Sequence, residues 1–89
     1  MSGNAEGYQD GLGDDPRSRE VVDIICDQYA ADTTDVYRES NLSADLGGDS
    51  LDLVHIEMEI EDFFKLPDID QKFQTVGEAV DYVKSKVQE

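Results

Sequence analysis

Apolar residues recur at helical spacing in three stretches of the chain. The first stretch places them at i, i+3, i+4 and i+8: Val21, Ile24, Ile25 and Tyr29. Asp15 followed by Pro16 is a typical N-cap with proline at the first helical position. We therefore expect a first helix that begins at Pro16 and ends around residues 30–32.

The second stretch begins at Ser50. Its inner stripe is predicted to contain Leu53, Ile56, Ile60 and Phe64. Asp49 is suited to cap this helix, and Asp52 adds a carboxylate to the first turn, where the helix dipole favours negative charge. Lys65-Leu66-Pro67 ends the helix, because the residue before proline avoids the α conformation. The predicted helix spans residues 50–64.

The third stretch begins at Val76, after Thr75. Thr75 and Glu78 fit a capping box, and the apolar stripe consists of Val76, Ala79, Val80, Val83 and Val87. Between the second and third stretches, residues 68–73 are predicted to form one short helical turn that points Ile69 and Phe73 inward.

No alternating pattern predicts a strand, so the fold class is all-α, with three main helices and one short helix. The connection between the first two helices runs to Gly48, and its apolar residues Val36, Leu42 and Leu46 are expected to anchor it. Gly47 and Gly48 at its end permit positive φ angles and let another stretch of backbone approach closely.

The chain has 89 residues, enough for one domain. Residues 1–15 are rich in glycine and aspartate, and we expect a disordered N-terminal tail there, followed by a domain at 16–89. Cys26 is single and lies in a helical apolar pattern, so it is expected to pack in the core.

Acidic residues outnumber basic ones by 22 to 7, which gives a formal net charge of −15. This excess argues against binding to nucleic acid or to anionic membranes, whose partners carry basic surfaces. The negative charge would steer the protein toward basic surfaces of partner proteins. The alternative is that the charge serves solubility alone. Neither a signal peptide nor an apolar run of membrane-spanning length is present, so a cytoplasmic monomer without membrane insertion is expected.

Ser50 is the candidate for covalent chemistry. It stands at the N-terminus of the second helix, where backbone N–H groups lack intrahelical partners and the dipole is positive. Such a position favours a phosphate ester. The alternative is an ordinary serine at a helix terminus.

Residues 45–52, DLGGDSLD, resemble the motif of the acyl carrier proteins, and the resemblance extends from about Arg19 to Val87. It implies an antiparallel small four-helix bundle. It also implies that a phosphopantetheinyl transferase esterifies Ser50 with 4'-phosphopantetheine from coenzyme A, whose thiol carries the acyl group. Asp49 would then both cap the helix and contact the transferase.

The resemblance further implies that the second helix is recognised by acyl synthases and acyltransferases with basic docking surfaces. Its candidate partner-binding residues are Leu51, Asp52, Val54, His55, Met58, Glu61 and Asp62. His55 departs from the family, because many members have an acidic residue there. The alternative to partner binding is that each of these carboxylates simply lies on a solvated face of the helix.

Acyl chains of this family are sheltered between the helices. The residues that by position would line such a pocket are Ile56, Ile60, Phe64, Leu66, Ile69, Phe73 and Val80. The alternative is a plain packed core. Residues 65–75 look shorter than is usual in the family, which affects the expected acyl length.

The predicted function is that of an acyl carrier protein in fatty acid, polyketide or specialised lipid synthesis, and not that of an enzyme. No catalytic residue is assigned, since His55 is five positions from Ser50 and the nucleophile-elbow pattern G-x-S-x-G is absent. No metal site is predicted, because the spacing of the aspartates does not fit an EF-hand. Alternatives are an aminoacyl or peptidyl carrier, an acidic interaction module without a prosthetic group, or, more remotely, a hydrolase.

Overall fold

The computed structural model describes residues 7–9, 11–13, 15–67, 69 and 71–87. Three helices are formed: α1 (Pro16–Tyr29), α2 (Ser50–Phe64) and α3 (Val76–Lys86). No strand is present in these ranges, where the extended pairing is a single bridge between Asn41 and Thr75. The all-α fold class and the three predicted main helices are thus confirmed.

The short helical element is a 3₁₀ turn at Thr33–Asp35, within the long loop. The Asp32 side chain nucleates it by accepting a 2.9 Å hydrogen bond from the Thr34 backbone N–H. The helical turn predicted at 68–73 is not formed at Ile69 or at 71–73, and Asp68 and Asp70 lie outside the described residues.

The helix ends follow their local sequence signals. The Asp15 side chain caps α1 through the Arg17 N–H, and the Thr75 hydroxyl caps α3 through the Glu78 N–H. Both N-caps were predicted. The return bond of the predicted Thr75 capping box is shifted by one residue, because the Glu78 carboxylate accepts from the Gln74 N–H at 2.8 Å. At its C-terminus α2 ends at Lys65, whose φ of 58° is left-handed. The chain thus leaves the helix before Pro67.

The core forms where α1 packs against both α2 and α3. The completely buried apolar residues of the helices are Val21, Val22, Ile25, Ile60, Val76, Ala79, Val80 and Val83. The loop anchors Val36 and Leu42 are also buried, and Leu46 is half-buried against the core, as predicted. Cys26 is buried too.

Leu12 also belongs to this core, although it precedes α1. Its side chain is completely buried, and nearby the Tyr8 hydroxyl donates a 2.6 Å hydrogen bond to Asp23 on α1. The disordered tail and the domain boundary after residue 15 stay predictions, and residues 1–6, 10 and 14 lie outside the described residues.

The second half of the long loop is tied to the start of α3. The Leu42 N–H donates to the Gln74 carbonyl at 2.9 Å, and the Val76 N–H donates to the Ser40 carbonyl at 3.0 Å. These bonds fix the loop on the bundle, so that the turn leading into α2 starts from a rigid base. No helix in the described ranges is long and apolar enough to cross a bilayer.

Candidate functional site

The turn at 41–48 is organised by Asn41. Its side-chain oxygen accepts hydrogen bonds from the backbone N–H groups of Ser43 (2.9 Å) and Ala44 (2.8 Å). The Asp45 carboxylate in turn accepts a 2.7 Å bond from the Asn41 N–H. Because these short-range bonds satisfy the backbone locally, the chain enters α2 from a defined direction.

The two glycines before the site have different roles. Gly47 adopts φ +79°, a left-handed conformation that glycine adopts without steric cost. Gly48 is buried, and a Cβ there would overlap the Tyr29 hydroxyl and lie 2.7 Å from its ring Cζ. The close approach is therefore made by a side chain at the end of α1, and not by another stretch of backbone as the sequence predicted.

Asp49 and Asp52 form a reciprocal capping box at the start of α2. The Asp49 side chain accepts from the Asp52 N–H at 3.0 Å, and the Asp52 side chain accepts from the Asp49 N–H at 3.3 Å. The N-cap at Asp49 was predicted. The return bond from Asp52 was not, although an acid three residues after the cap is the signal that indicates it.

Ser50 is the first residue of α2 and is exposed, as is Leu51 after it. The serine hydroxyl is therefore accessible to another protein. His55 is also exposed on α2, more than one helical turn from Ser50. Ser50 and the imidazole of His55 are thus both exposed, but they lie on different turns of α2.

A hydrogen bond of 2.9 Å from the Gln28 side chain to Asp52 links the end of α1 to the capping box. This bond, followed by the bond from the Asp49 backbone, holds the pKa of the Asp52 carboxyl below its usual value. Both carboxylate oxygens of Asp52 are thus engaged within the chain.

Tyr29 lies next to Gln28, and its hydroxyl oxygen is buried without a hydrogen-bond partner among the described residues. Burial is the main reason that the pKa of this phenol is raised, and the carboxylates of Asp52 and Asp49 raise it further. Tyr29 thus borders the site as a neutral group. The helical periodicity indicated only that Tyr29 lies on the inner stripe of α1.

The predicted partner-binding residues divide into two groups. Five of them are exposed along α2: Leu51, Val54, His55, Met58 and Asp62. Asp52 and Glu61 are half-buried, and Glu61 accepts a 2.7 Å hydrogen bond from the Ile69 N–H. Sequence reasoning missed the exposed Phe63, because residues flanking a buried stripe are hard to place by periodicity alone.

The predicted acyl-pocket residues lie in or against the core. Ile56, Ile60, Phe73 and Val80 are buried, whereas Phe64, Leu66 and Ile69 are partly buried. A surface groove of about 730 Å³ at the end of α2 is lined by Met58, Glu59, Glu61, Asp62, Lys65 and Leu66. Leu66 is the residue common to both sets, so an acyl pocket among the core residues stays a prediction.

Three or more histidine, cysteine, aspartate or glutamate side chains do not converge as a metal site anywhere in the described part of the chain. The acidic residues that surround Ser50 are instead committed to backbone N–H groups and to Gln28. The site is therefore a capped turn that carries an exposed serine.

Comparison with known proteins identifies the family of this turn. The family described as "Phosphopantetheine attachment site" matches residues 19–83. An acyl carrier protein of Lactobacillus johnsonii is 41% identical over 68 residues, covering 73% of this chain and 85% of that protein. An acyl carrier protein of Clostridium acetobutylicum is 42% identical over 72 residues, covering 78% and 94%. One from Porphyromonas gingivalis is 36% identical over 72 residues, covering 78% and 92%.

The family match extends over most of α1, the long loop, α2 and most of α3, and it includes the turn with Ser50. With such coverage at about 40% identity, the chain belongs to the acyl carrier proteins of the phosphopantetheine-attachment family.

Proposed function

We propose that this protein carries acyl groups as thioesters on a 4'-phosphopantetheine arm esterified to Ser50. The observation that supports the attachment point is the exposed Ser50 hydroxyl, the first residue of α2 on a turn fixed by Asp49, Asp52 and Gly48. Family membership supplies the arm itself as the covalent prosthetic group.

The residues around Ser50 fit such a group. A phosphodiester on Ser50 would stand at a helix N-terminus, where the dipole is positive and N–H groups are available. Both carboxylate oxygens of Asp52 and one of Asp49 accept hydrogen bonds from backbone N–H groups or from Gln28. The bound arm supplies a thiol for the thioester, and this chain supplies attachment and presentation.

The enzymes that use the carrier would dock on α2. Leu51 and Met58 are more than half exposed, and Val54 lies between them, so the helix offers a small apolar stripe. Asp62 and other carboxylates near this stripe would steer basic surfaces toward it, while His55 adds no negative charge to it. We infer that a phosphopantetheinyl transferase binds this helix first, and that synthases and acyltransferases bind it afterwards.

We further propose that the protein acts as a cytoplasmic monomer in fatty acid, polyketide or specialised lipid synthesis. The formal net charge of −15 supports solubility and self-repulsion between copies. It also disfavours nucleic acid as a partner, because the phosphate backbone would be repelled.

The attachment is tested by intact mass after incubation with coenzyme A, Mg²⁺ and a broad-specificity phosphopantetheinyl transferase. The wild type and Ser85→Ala, which alters an exposed serine on α3, should gain one arm. Ser50→Ala should gain none. A gain in Ser50→Ala would place the arm elsewhere, and no gain in the folded wild type with an active transferase would refute the proposal.

A further inference from the structure

The last two residues of α1 hold the Ser50 turn on both sides of the serine. Gln28 bonds to Asp52, two residues after Ser50. Tyr29 fills the space above Gly48, two residues before it, where a Cβ would overlap the phenol oxygen and lie 2.8 Å from ring Cε1. The position of the turn is therefore set by α1, through one polar and one steric contact.

The backbone of Gly48 is fixed by two hydrogen bonds of its own. Its N–H donates to the Leu42 carbonyl at 2.9 Å, and its carbonyl accepts from the Ser43 hydroxyl at 3.1 Å. An aromatic ring is rigid, and close-packed interiors transmit a volume change as a displacement. One methyl group at residue 48 must then displace the Tyr29 ring, the turn, or both.

The Tyr29 hydroxyl is buried without a hydrogen-bond partner among the described residues, so its place is set by packing. We infer that Tyr29 and Gly48 form a size-matched pair that sets where Ser50 stands relative to α1, which makes Tyr29 a positioning residue for modification of Ser50. This inference rests on the proposed attachment at Ser50.

The test measures transferase kinetics with the carrier as the varied substrate. Gly48→Ala should lower kcat by about tenfold to a hundredfold with little change in KM, since Ser50 is misplaced while the exposed face of α2 is intact. Adding Tyr29→Leu to Gly48→Ala should restore kcat, because a smaller side chain admits the methyl group. Tyr29→Phe should resemble the wild type.

Two controls separate positioning from stability. Tyr37→Leu alters a tyrosine that is about half exposed (49%) and should leave kcat unchanged. Circular dichroism of each variant at the assay temperature corrects the rates for the folded fraction. A folded Gly48→Ala with wild-type kcat, or a double variant no faster than Gly48→Ala, would overturn the inference.

Other outcomes are also decisive. If Gly48→Ala does not fold, Tyr29→Leu is compared with Tyr29→Phe. The smaller leucine should give the lower kcat, and equal kcat values would overturn the inference that Tyr29 and Gly48 position Ser50. If the wild type takes up no arm, the proposed function has failed, and the pair is judged by the amide NMR shifts of Ser50 and Leu51. Those shifts should move in Gly48→Ala and return in the double variant, and unchanged shifts would refute it.

Discussion

Gln28 and Asp52 join the end of α1 to the start of α2 through a hydrogen bond of 2.9 Å. The same Asp52 carboxylate returns a bond to the Asp49 N–H and so closes the capping box. One side chain thereby couples the tertiary contact between two helices to the local structure that precedes Ser50.

Gln28→Ala should raise the pKa of Asp52 toward its ordinary value, because the Gln28 bond is the largest cause of its lowering. A lowered folded-state pKa means that this group stabilises the fold above its unfolded-state pKa and loses that contribution as the pH falls through the folded-state pKa. As the pH falls, the variant should therefore lose the stabilisation from ionised Asp52 at a higher pH than the wild type does. Carboxyl ¹³C NMR titration of Asp52 measures the change.

The matched control for this titration is Gln71→Ala, which removes the same side chain from an exposed position outside the helices. Its Asp52 titration should follow the wild type. An unchanged Asp52 titration in Gln28→Ala would show that the bond to Asp49, and not the contact with α1, sets the carboxyl pKa.

Leu12→Ala should destabilise the protein by about 2–5 kcal/mol, because it opens a cavity at a completely buried position. Leu51→Ala is the matched control, since Leu51 is 63% exposed and should change stability by less than about 0.5 kcal/mol. Urea unfolding followed by circular dichroism gives both values. Equal midpoints for the two variants would contradict a core role for Leu12.

Glu61→Ala should loosen the segment after α2, because the Glu61 carboxylate accepts the Ile69 N–H at 2.7 Å. The loss of this bond should cost about 1 kcal/mol and speed hydrogen exchange at the Ile69 amide. Glu59→Ala, which removes an exposed carboxylate two residues earlier, should leave that amide protected. Equal exchange rates of the Ile69 amide in both variants would show that Glu61 is a solvated carboxylate that does not hold this amide.

Features encoded by adjacent residues could be predicted from the sequence. The caps at Asp15, Asp49 and Thr75 and the bounds of α2 depend on neighbours within one helical turn, and they are confirmed. The exposed position of Ser50 at the start of a helix follows from the same local signals.

Contacts between distant parts of the chain could not be predicted in the same way. Leu12 belongs to no apolar pattern of helical or strand spacing, so nothing in its neighbouring sequence indicates that it is buried. The fit between Tyr29 and Gly48 and the bond from Gln28 to Asp52 depend on how α1 crosses α2, which periodicity leaves open. The helical turn expected at 68–73 was misplaced for a similar reason, since the Ile69 N–H bonds to Glu61 on α2.

Cys26 should react slowly with thiol reagents in the folded protein. Its side chain is buried, and burial, followed by the nearby carboxylates of Asp23, Asp32 and Asp27, raises the thiol pKa to about 11. Because the thiolate is the reactive form, a rise from 9.0 to about 11 lowers its fraction near pH 8 by about a hundredfold. Reaction with a chromogenic disulfide at pH 8, with and without urea, measures this.

Raising the pH toward 11 should accelerate labelling of the folded protein, whereas unfolding at pH 8 should restore the rate of an ordinary thiol. The second effect includes the loss of steric protection, so the pH series in native buffer isolates the electrostatic part. Fast labelling of the folded protein at pH 8 would show that the α1 face carrying Cys26 opens readily. The thiol would then be an accessible group, although Cys26 belongs to the buried core cluster.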